Sequence, residues 1–170
     1  LEFKKPAEMP KLALNVYQNR FGRSELNLHS GAKLNERRHM GTFLHGATIY
    51  GRPDHNHDGF LDLTNGQTFS LLQRFAYQGK RMEAQLGLQA YADRKNGGQV
   101  AYAQAVPGAY GMLLESQHLS LFSKTGFFGK KPAQSLGLIA NIKYQDLSKA
   151  CPSGGFTRSE LFSRISKLIW

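Results

Sequence analysis

The sequence predicts an all-β protein with long antiparallel strands in an up-and-down order, and two features carry that prediction. The first is strict alternation of apolar and polar side chains, clearest in residues 67–94, QTFSLLQRFAYQGKRMEAQLGLQAYADR. A period of two places successive side chains on opposite faces of a strand. The second is the sorting of the connections: after a short first one, tight polar turns alternate with long loops. Up-and-down barrels that span an outer membrane show this asymmetry between their two ends.

Residues 67–94 form the clearest predicted hairpin. The apolar residues of its first half share one face, broken by Gln73, and those of its second half share one face as well. They are Phe69, Leu71, Phe75, Tyr77, Met82, Ala84, Leu86, Leu88, Ala90 and Ala92. Gly79-Lys80 fits a two-residue loop of type II′, which favours Gly at its first central position. We therefore expect Tyr77 opposite Met82 and Phe75 opposite Ala84.

Five further strands follow from the same alternation, which makes about seven in all. They are predicted at residues 11–18, 25–34, 39–50, 117–127 and 135–145, with long loops at 51–66 and 96–116. The pattern changes after residue 148. Leu161, Phe162, Ile165, Leu168 and Ile169 have helical spacing, and Thr157 with Glu160 has the spacing of a capping box. Residues 149–170 are therefore expected to be a separate tail, either a short helix or disordered.

The length of the predicted hairpin favours a membrane environment. Strands of globular proteins are most often about 5–6 residues long, whereas a tilted membrane-spanning strand needs about 9–11. A hairpin that is apolar on one face and charged on the other suits a wall with lipid outside and water or protein inside. No run of about 18 apolar residues is present, so no transmembrane helix is expected. A soluble β-sandwich with its polar faces in solvent is the alternative.

Composition and motifs argue against several functions. The formal net charge is +10, but the basic residues are scattered through strands and turns, and no nucleic-acid-binding motif is present. Cys151 is the single cysteine, so the chain cannot build an internal disulfide or a thiolate metal site. We find no nucleophile elbow, phosphate loop, paired-carboxylate motif or zinc spacing. The chain is therefore not expected to be an enzyme or to require a cofactor.

One loop has the spacing of a calcium site. Residues 54–59, DHNHDG, match the start of a calcium loop, with Asp54, Asn56 and Asp58 at its first, third and fifth positions. Asp62 occupies the ninth position, and Asn65 replaces the bidentate Glu of the twelfth. Without that Glu we expect weak calcium binding by Asp54, Asn56, Asp58 and Asp62. The alternative is a polar turn held by Asx hydrogen bonds.

The histidines and tyrosines give weaker indications. His39 and His45 share a strand face but lie about 20 Å apart at about 3.3 Å per residue, so they cannot share an ion. His55 and His57 flank the acidic positions of the calcium-like loop and are expected to be solvated. Five tyrosines fall near predicted strand ends, as in the aromatic girdles of membrane barrels. They are Tyr17, Tyr50, Tyr77, Tyr91 and Tyr144.

The order of segments over residues 1–148 resembles the start of the barrel in TonB-dependent outer-membrane receptors of the Bacteroidetes type. FKKP resembles the exit from the plug domain, and NVYQNRFGRSELNL resembles the first barrel hairpin. DHNHDGFLD, FSLLQRFAYQGKRMEAQLGL and SLGLIANIKYQDL resemble the loops and strands that follow. The family has a plug, a TonB box and a barrel of about 22 strands. The predicted strands are too few to close such a barrel, and neither plug nor TonB box is recognisable, so a fragment is expected.

The resemblance implies a function and a location. The parent protein would lie in the outer membrane of a Gram-negative bacterium and bind a siderophore, cobalamin or glycan through loops 51–66 and 96–116. Its partners would be outer-membrane lipid, the nutrient ligand and the TonB energy-transducing complex, with no nucleic acid. Two other functions stay open. One is a soluble calcium-dependent β-sandwich binding module, and the other is a small autonomous eight-stranded outer-membrane barrel completed by a further strand.

Overall fold

A computed structural model describes residues 5–129, 134–151 and 155–169. These residues form one antiparallel sheet of eight strands, in which every strand pairs with its neighbours in sequence. The strands are β1 Ala13–Gln18, β2 Arg23–Asn35, β3 Arg38–Ile49, β4 Asn65–Gln78, β5 Met82–Gly98, β6 Gly111–Phe128, β7 Ser135–Cys151 and β8 Gly155–Ile169. A short helix, α1, covers Val100–Ala103, and a 3₁₀ turn covers Pro6–Glu8. The predicted all-β, up-and-down antiparallel fold is confirmed.

The register places the apolar stripes of β1 to β7 on one side of the sheet, whereas β8 has Arg164 on that side and Leu161 and Ile165 on the other. Leu71 lies opposite both Leu44 and Ala90, Ala90 lies opposite Leu119, and Leu119 lies opposite Tyr144. We call this side the apolar face. Its large members are Leu26, Leu28, Phe69, Leu71, Phe75, Leu86, Leu88, Leu119, Leu121, Phe127, Leu138, Ile142 and Tyr144. We call the other side the polar face, which carries Asn27, His45, Ser70, Arg74, Gln85, Gln89, Asp93, His118, Ser120, Asn141 and Lys143.

The apolar face of the sheet is more exposed than the polar face, which is the reverse of what a sheet in a soluble protein shows. Phe69 and Leu119 on the apolar face are 44% and 51% exposed, whereas Asp93 and Ser120 on the polar face are 8% and 6% exposed. A sheet with no second layer can bury side chains on one face only by curving toward it, so the sheet curves toward its polar face. Within the described residues there is no second sheet packed on the first. The two packed layers of the β-sandwich alternative are therefore not found there.

The predicted register of the central hairpin is wrong by two residues. Tyr77 lies opposite Ala84 and Phe75 opposite Leu86, and the Gly79 N–H donates to the Met82 carbonyl at 2.8 Å. Lys80 and Arg81 therefore form the tip. The shift is even, so both apolar stripes still share one face. Gly79 is required for space and not for a left-handed backbone, because a Cβ there would lie 2.8 Å from the Tyr77 hydroxyl.

The predicted C-terminal helix is also wrong, because residues Gly155–Ile169 form β8 and pair along β7. Leu161 and Ile165 are four residues apart, a spacing that suits both a helix face and a strand face. The free edge of β7 offers a full row of backbone groups, and pairing with it satisfies those of β8. The strand count is therefore eight instead of about seven. Of the predicted separate tail at 149–170, residues 152–154 and 170 lie outside the described residues.

The strands are longer than alternation indicated, mainly at one end of the sheet. β5 reaches Gly98 and β6 starts at Gly111, so the loop predicted at 96–116 contracts to residues 99–110. Gly98 and Gly111 lie opposite each other, and glycines carry no side-chain pattern that could reveal this pairing. We call this end, which also holds the connection between β3 and β4, the loop end. The opposite end is the turn end.

The N-terminal segment crosses the polar face. Gly31 and Gly41 face each other across β2 and β3, and Met9 lies over both. A Cβ at Gly31 would be 2.7 Å from Met9 Cβ, and one at Gly41 would be 2.6 Å from Met9 Sδ. The Gly31 N–H donates to the Pro10 carbonyl at 2.7 Å, which fixes the segment to the edge of β2. The chain thus enters the sheet from its polar, concave side.

Candidate functional site

The two long loops form one unit at the loop end. Phe60 and Gln99 make an antiparallel bridge between them. The Leu61 N–H donates to the Gly98 carbonyl at 2.9 Å, and the Val100 N–H donates to the Gly59 carbonyl at 2.8 Å. The sorting of the connections predicted both loops at one end, but no pattern in the sequence indicated their contact. A molecule that approaches this end of the sheet therefore meets both loops together.

The calcium-like loop is folded by its own acidic side chains. The carboxylate of Asp54 accepts hydrogen bonds from the Asp58 N–H at 3.1 Å and the Gly59 N–H at 3.0 Å. Asp58 Oδ1 accepts from the Phe60 N–H at 2.8 Å. His57 and Gly59 have φ values of 57° and 81°, so the chain turns sharply twice between these bonds. The Asx hydrogen bonds of the alternative interpretation are thus present.

Asp62, the fourth predicted ligand, is held by His55. Asp62 Oδ2 lies 2.9 Å from the His55 backbone N–H and 2.6 Å from His55 Nδ1. The hydrogen bond from the His55 side chain, followed by that from its backbone, lowers the pKa of the Asp62 carboxyl below its ordinary value. The His55 ring also makes an edge contact with Phe21, with centroids 5.4 Å apart. His55 therefore ties the loop to the connection between β1 and β2.

Among the described residues, no group of three or more His, Cys, Asp or Glu side chains is arranged to hold a metal ion. Asn56, the third predicted ligand, would contribute an amide oxygen, which is not one of these groups. Calcium binding by Asp54, Asn56, Asp58 and Asp62 stays a prediction.

The remaining histidines lie on the polar face of the sheet. His39 and His45 share that face, and His45 Nδ1 lies 2.7 Å from Asn27 Oδ1. His118 lies opposite Tyr91 and Gln145. These imidazoles belong to separate parts of the polar face.

Cross-strand hydrogen bonds satisfy much of the polar face. Thr68 donates to Asp93 Oδ1 at 2.6 Å, and Lys95 Nζ lies 3.1 Å from the other carboxylate oxygen. Ser120 donates to Asn141 Oδ1 at 3.2 Å. Such pairs let polar groups pack at low exposure without losing hydrogen-bond partners. The polar face therefore presents a hydrogen-bonding surface on the concave side.

Charged residues cross the apolar face near the loop end, a feature that alternation within single strands did not predict. Arg94 Nε lies 3.2 Å from Glu115 Oε1, and an Arg158 guanidinium nitrogen lies 2.8 Å from Asp146 Oδ2 and 2.9 Å from Glu160 Oε1. We call these five residues the ionic belt. All five lie on the apolar register, and Arg94 and Asp146 directly follow the last apolar residues of their strands, Ala92 and Tyr144. The belt becomes visible only when several strands are aligned.

The ionic belt marks one boundary of an apolar band. On β6 the band runs from Leu119 to Phe127, with Ser123 and Thr125 between its apolar residues, a length of about 26 Å at about 3.3 Å per residue. At a strand tilt of about 40°, this length spans about 20 Å.

The predicted tyrosine girdle is only partly confirmed. Tyr17 and Tyr77 lie one residue from the ends of β1 and β4, and Tyr50 directly follows β3. Tyr17, however, lies on the polar face, opposite Glu25. Tyr144 lies in the middle of β7, yet it is the last apolar-face residue before Asp146 of the ionic belt. Tyr91 lies within β5 on the polar face, so it belongs to no girdle. The longer strands are the reason, because they moved two predicted strand ends into strand interiors.

Comparison with known proteins identifies no relative: no family model, curated protein or solved structure matches the chain. In the described part of the chain, no helix is both long and apolar enough to cross a membrane.

Proposed function

We propose that the chain forms part of the wall of an outer-membrane transport barrel of the TonB-dependent receptor type. One observation carries the proposal: an exposed apolar face that continues across β1 to β7, opposite a polar face that is more buried. This is the arrangement of a wall with lipid outside and water inside.

The extent of the exposed apolar surface supports lipid contact. Soluble monomers rarely expose contiguous apolar patches larger than a few hundred Å². Here Leu86, Leu88, Leu119 and Leu121 are adjacent across two strands, and each is 40% exposed or more. The band of about 20 Å is close to the roughly 25 Å apolar height of outer-membrane barrels.

The loop end supports a role in ligand capture. The two long loops are bonded into one unit there, whereas the turn between β4 and β5 at the other end has a two-residue tip. Outer-membrane barrels place their long loops outside the cell. By resemblance, the ligand would be a siderophore, cobalamin or glycan, and uptake would be energised by the TonB complex. The polar face would line the lumen, and further strands would complete the wall.

The eighth strand favours a second candidate, a small autonomous barrel, since eight is the smallest strand number among outer-membrane barrels. Closure would require β1 to pair with β8. In the described residues, β1 pairs only with β2 and β8 only with β7. β1 spans six residues and β8 fifteen, so pairing between them would leave more than half of the outer edge of β8 unpaired. A segment of a larger wall fits these edges better.

A matched pair of substitutions tests the assignment of the lipid-facing side. Leu88 and Gln89 are adjacent on β5, and their side chains lie on opposite faces. An arginine facing lipid at the membrane midplane costs about 2–4 kcal/mol, whereas lumen substitutions are tolerated. We expect Leu88→Arg to reduce insertion into phospholipid vesicles, measured by flotation and far-UV circular dichroism, and Gln89→Arg to insert like the wild type. Equal insertion of both variants, or no insertion of the wild type, would refute the proposal.

The transport component needs a separate measurement. The inserted chain would be titrated with a ferric siderophore, cobalamin and an oligosaccharide, with and without deletion of residues 54–62. Saturable binding of one ligand, weakened by the deletion, would support capture by the loops. If none of the three ligands bound, the proposed capture of a nutrient by the loops would have no support, whereas the proposed membrane wall would be unaffected.

A further inference from the structure

Two neighbouring connections at the turn end concentrate positive charge. Residues 33–39 and 78–83 contain five lysines and arginines and only two glutamates. The two connections lie side by side, because β3 pairs with β4 and the Gln78 N–H donates to the Arg37 carbonyl at 2.8 Å. Their charges therefore act together on whatever approaches this end of the sheet.

Four of these cations have no anionic partner. In the part of the chain that the structure describes, their side chains form no ion pair or hydrogen bond, and all four are exposed. Glu36 pairs with Lys33 at 2.7 Å, and Glu83 lies on the polar face of β5. The arginines of the ionic belt, by contrast, are each paired with a carboxylate. We call the four cations the basic border: Arg37, Arg38, Lys80 and Arg81.

The basic border lies where the apolar face ends. Arg38 is on the apolar register, directly opposite Tyr77, and the next pair on this face is Met40 and Phe75. The Tyr77 hydroxyl lies over Gly79, next to the hairpin tip. A tyrosine between apolar side chains and cations is typical of a membrane interface, where the ring contacts hydrocarbon and the hydroxyl contacts water. The stems of arginine and lysine can cover apolar surface there while their charged ends reach the head groups.

The charge of the basic border selects the kind of head group. On the proposed function, on which this assignment rests, the apolar face meets lipid and the long loops lie outside the cell. The turn end then meets the periplasmic leaflet, where phospholipid head groups lie. A zwitterionic head group brings an ammonium for which the border contains no carboxylate, so a head group with only a negative charge fits better. We propose that the basic border binds the head groups of anionic phospholipids of the phosphatidylglycerol type.

Native mass spectrometry of the full chain in a neutral detergent tests this proposal. Phosphatidylglycerol and phosphatidylethanolamine with the same acyl chains are offered together, and hexaglutamate is offered as a soluble polyanion. Arg38→Gln/Arg81→Gln removes two cations of the border, one from each connection. Arg20→Gln/Arg52→Gln is the matched control, because it removes two exposed arginines from connections at the loop end and gives the same net charge.

We expect the wild type and the loop-end control to retain phosphatidylglycerol in preference to phosphatidylethanolamine. Each cation near an anionic lipid surface strengthens binding roughly fivefold, so the border variant should bind phosphatidylglycerol roughly twentyfold more weakly. Equal retention of the two lipids, an equal loss in the border variant and its control, or a preference for hexaglutamate over phosphatidylglycerol would overturn the proposal.

Flotation with uncharged vesicles separates failure of this proposal from failure of the proposed function. Insertion into these vesicles depends on the apolar face and needs no anionic lipid. If the wild type inserts but shows no preference for phosphatidylglycerol, only the role of the basic border is refuted. If the wild type does not insert, the proposed membrane wall is refuted as well.

Discussion

The ring of Phe122 lies over Gly87, its direct partner across β5 and β6 on the polar face. A Cβ at Gly87 would overlap with the ring, and Gly87 is buried beneath it. The aromatic ring thus fills the space that the glycine leaves, a known way of stabilising a glycine within a strand.

Gly87→Ala is therefore expected to destabilise the sheet. The added methyl group would force the ring off its site, and overpacking of this kind costs about 1–3 kcal/mol. Gly126→Ala is the control, because the same methyl group there meets nothing within 4 Å. The measurement is the urea midpoint of the chain in phospholipid vesicles. If Gly87→Ala and Gly126→Ala lowered the urea midpoint equally, the Phe122–Gly87 contact would not be the cause of the lost stability.

Without detergent or lipid, the purified chain is expected to aggregate. The exposed apolar face would contact water, and the outer edges of β1 and β8 offer unpaired backbone groups to other copies. Light scattering and size exclusion in plain buffer, compared with the same sample in detergent, measure this. A sharp monomeric peak with a cooperative melt in plain buffer would contradict both the membrane assignment and the proposed function.

Calcium should bind the 54–62 loop weakly, with Kd at about 10⁻⁴–10⁻³ M or poorer, since the twelfth position lacks a bidentate Glu. Asp54→Ala and Asp58→Ala should abolish saturable binding in isothermal titration. Glu36→Gln is the control, because Glu36 is an exposed carboxylate at the turn end of the sheet. Binding that survives both aspartate substitutions, or none at millimolar calcium, would leave the loop as an Asx-bonded turn.

Asp62 should titrate below 3.8, its ordinary pKa, because the hydrogen bond from His55 lowers the pKa of its carboxyl. A pKa that is depressed in the folded state stabilises the loop above the ordinary pKa, and this stability is lost as the pH falls through the lower value. Carbon-13 NMR of the carboxyl groups in micelles measures the pKa of Asp62. His55→Ala should return the Asp62 pKa toward 3.8.

Glu36 provides an independent control for that titration. Its pKa is lowered from 4.5 chiefly by the hydrogen bond from Lys33, at the other end of the sheet. His55→Ala should leave the Glu36 pKa unchanged, and Lys33→Ala should raise it without affecting Asp62. A shift of both carboxyls in either variant would indicate a global change of structure in place of the two local contacts.

Several properties of this protein were determined by the sequence alone. Alternation over residues 67–94 was sufficient for the strands, their antiparallel order and the shared apolar face, because side chains in a strand alternate regardless of its partners. The sorting of turns and loops to opposite ends was also legible, since adjacent antiparallel strands reverse direction at each connection. The DHNHDG spacing indicated a sharp acidic turn, and Asx hydrogen bonds form that turn locally.

Other properties were decided only by the tertiary structure, because they depend on which backbone groups find a partner. Both hairpin registers keep the same faces, so alternation could not choose between them; the chosen one lets the Tyr77 ring lie over Gly79. Leu161 and Ile165 suit helix and strand equally, and the free edge of β7 selected the strand. The ionic belt unites residues from four strands. No single stretch of sequence contains it, since it exists only once the sheet has aligned its strands.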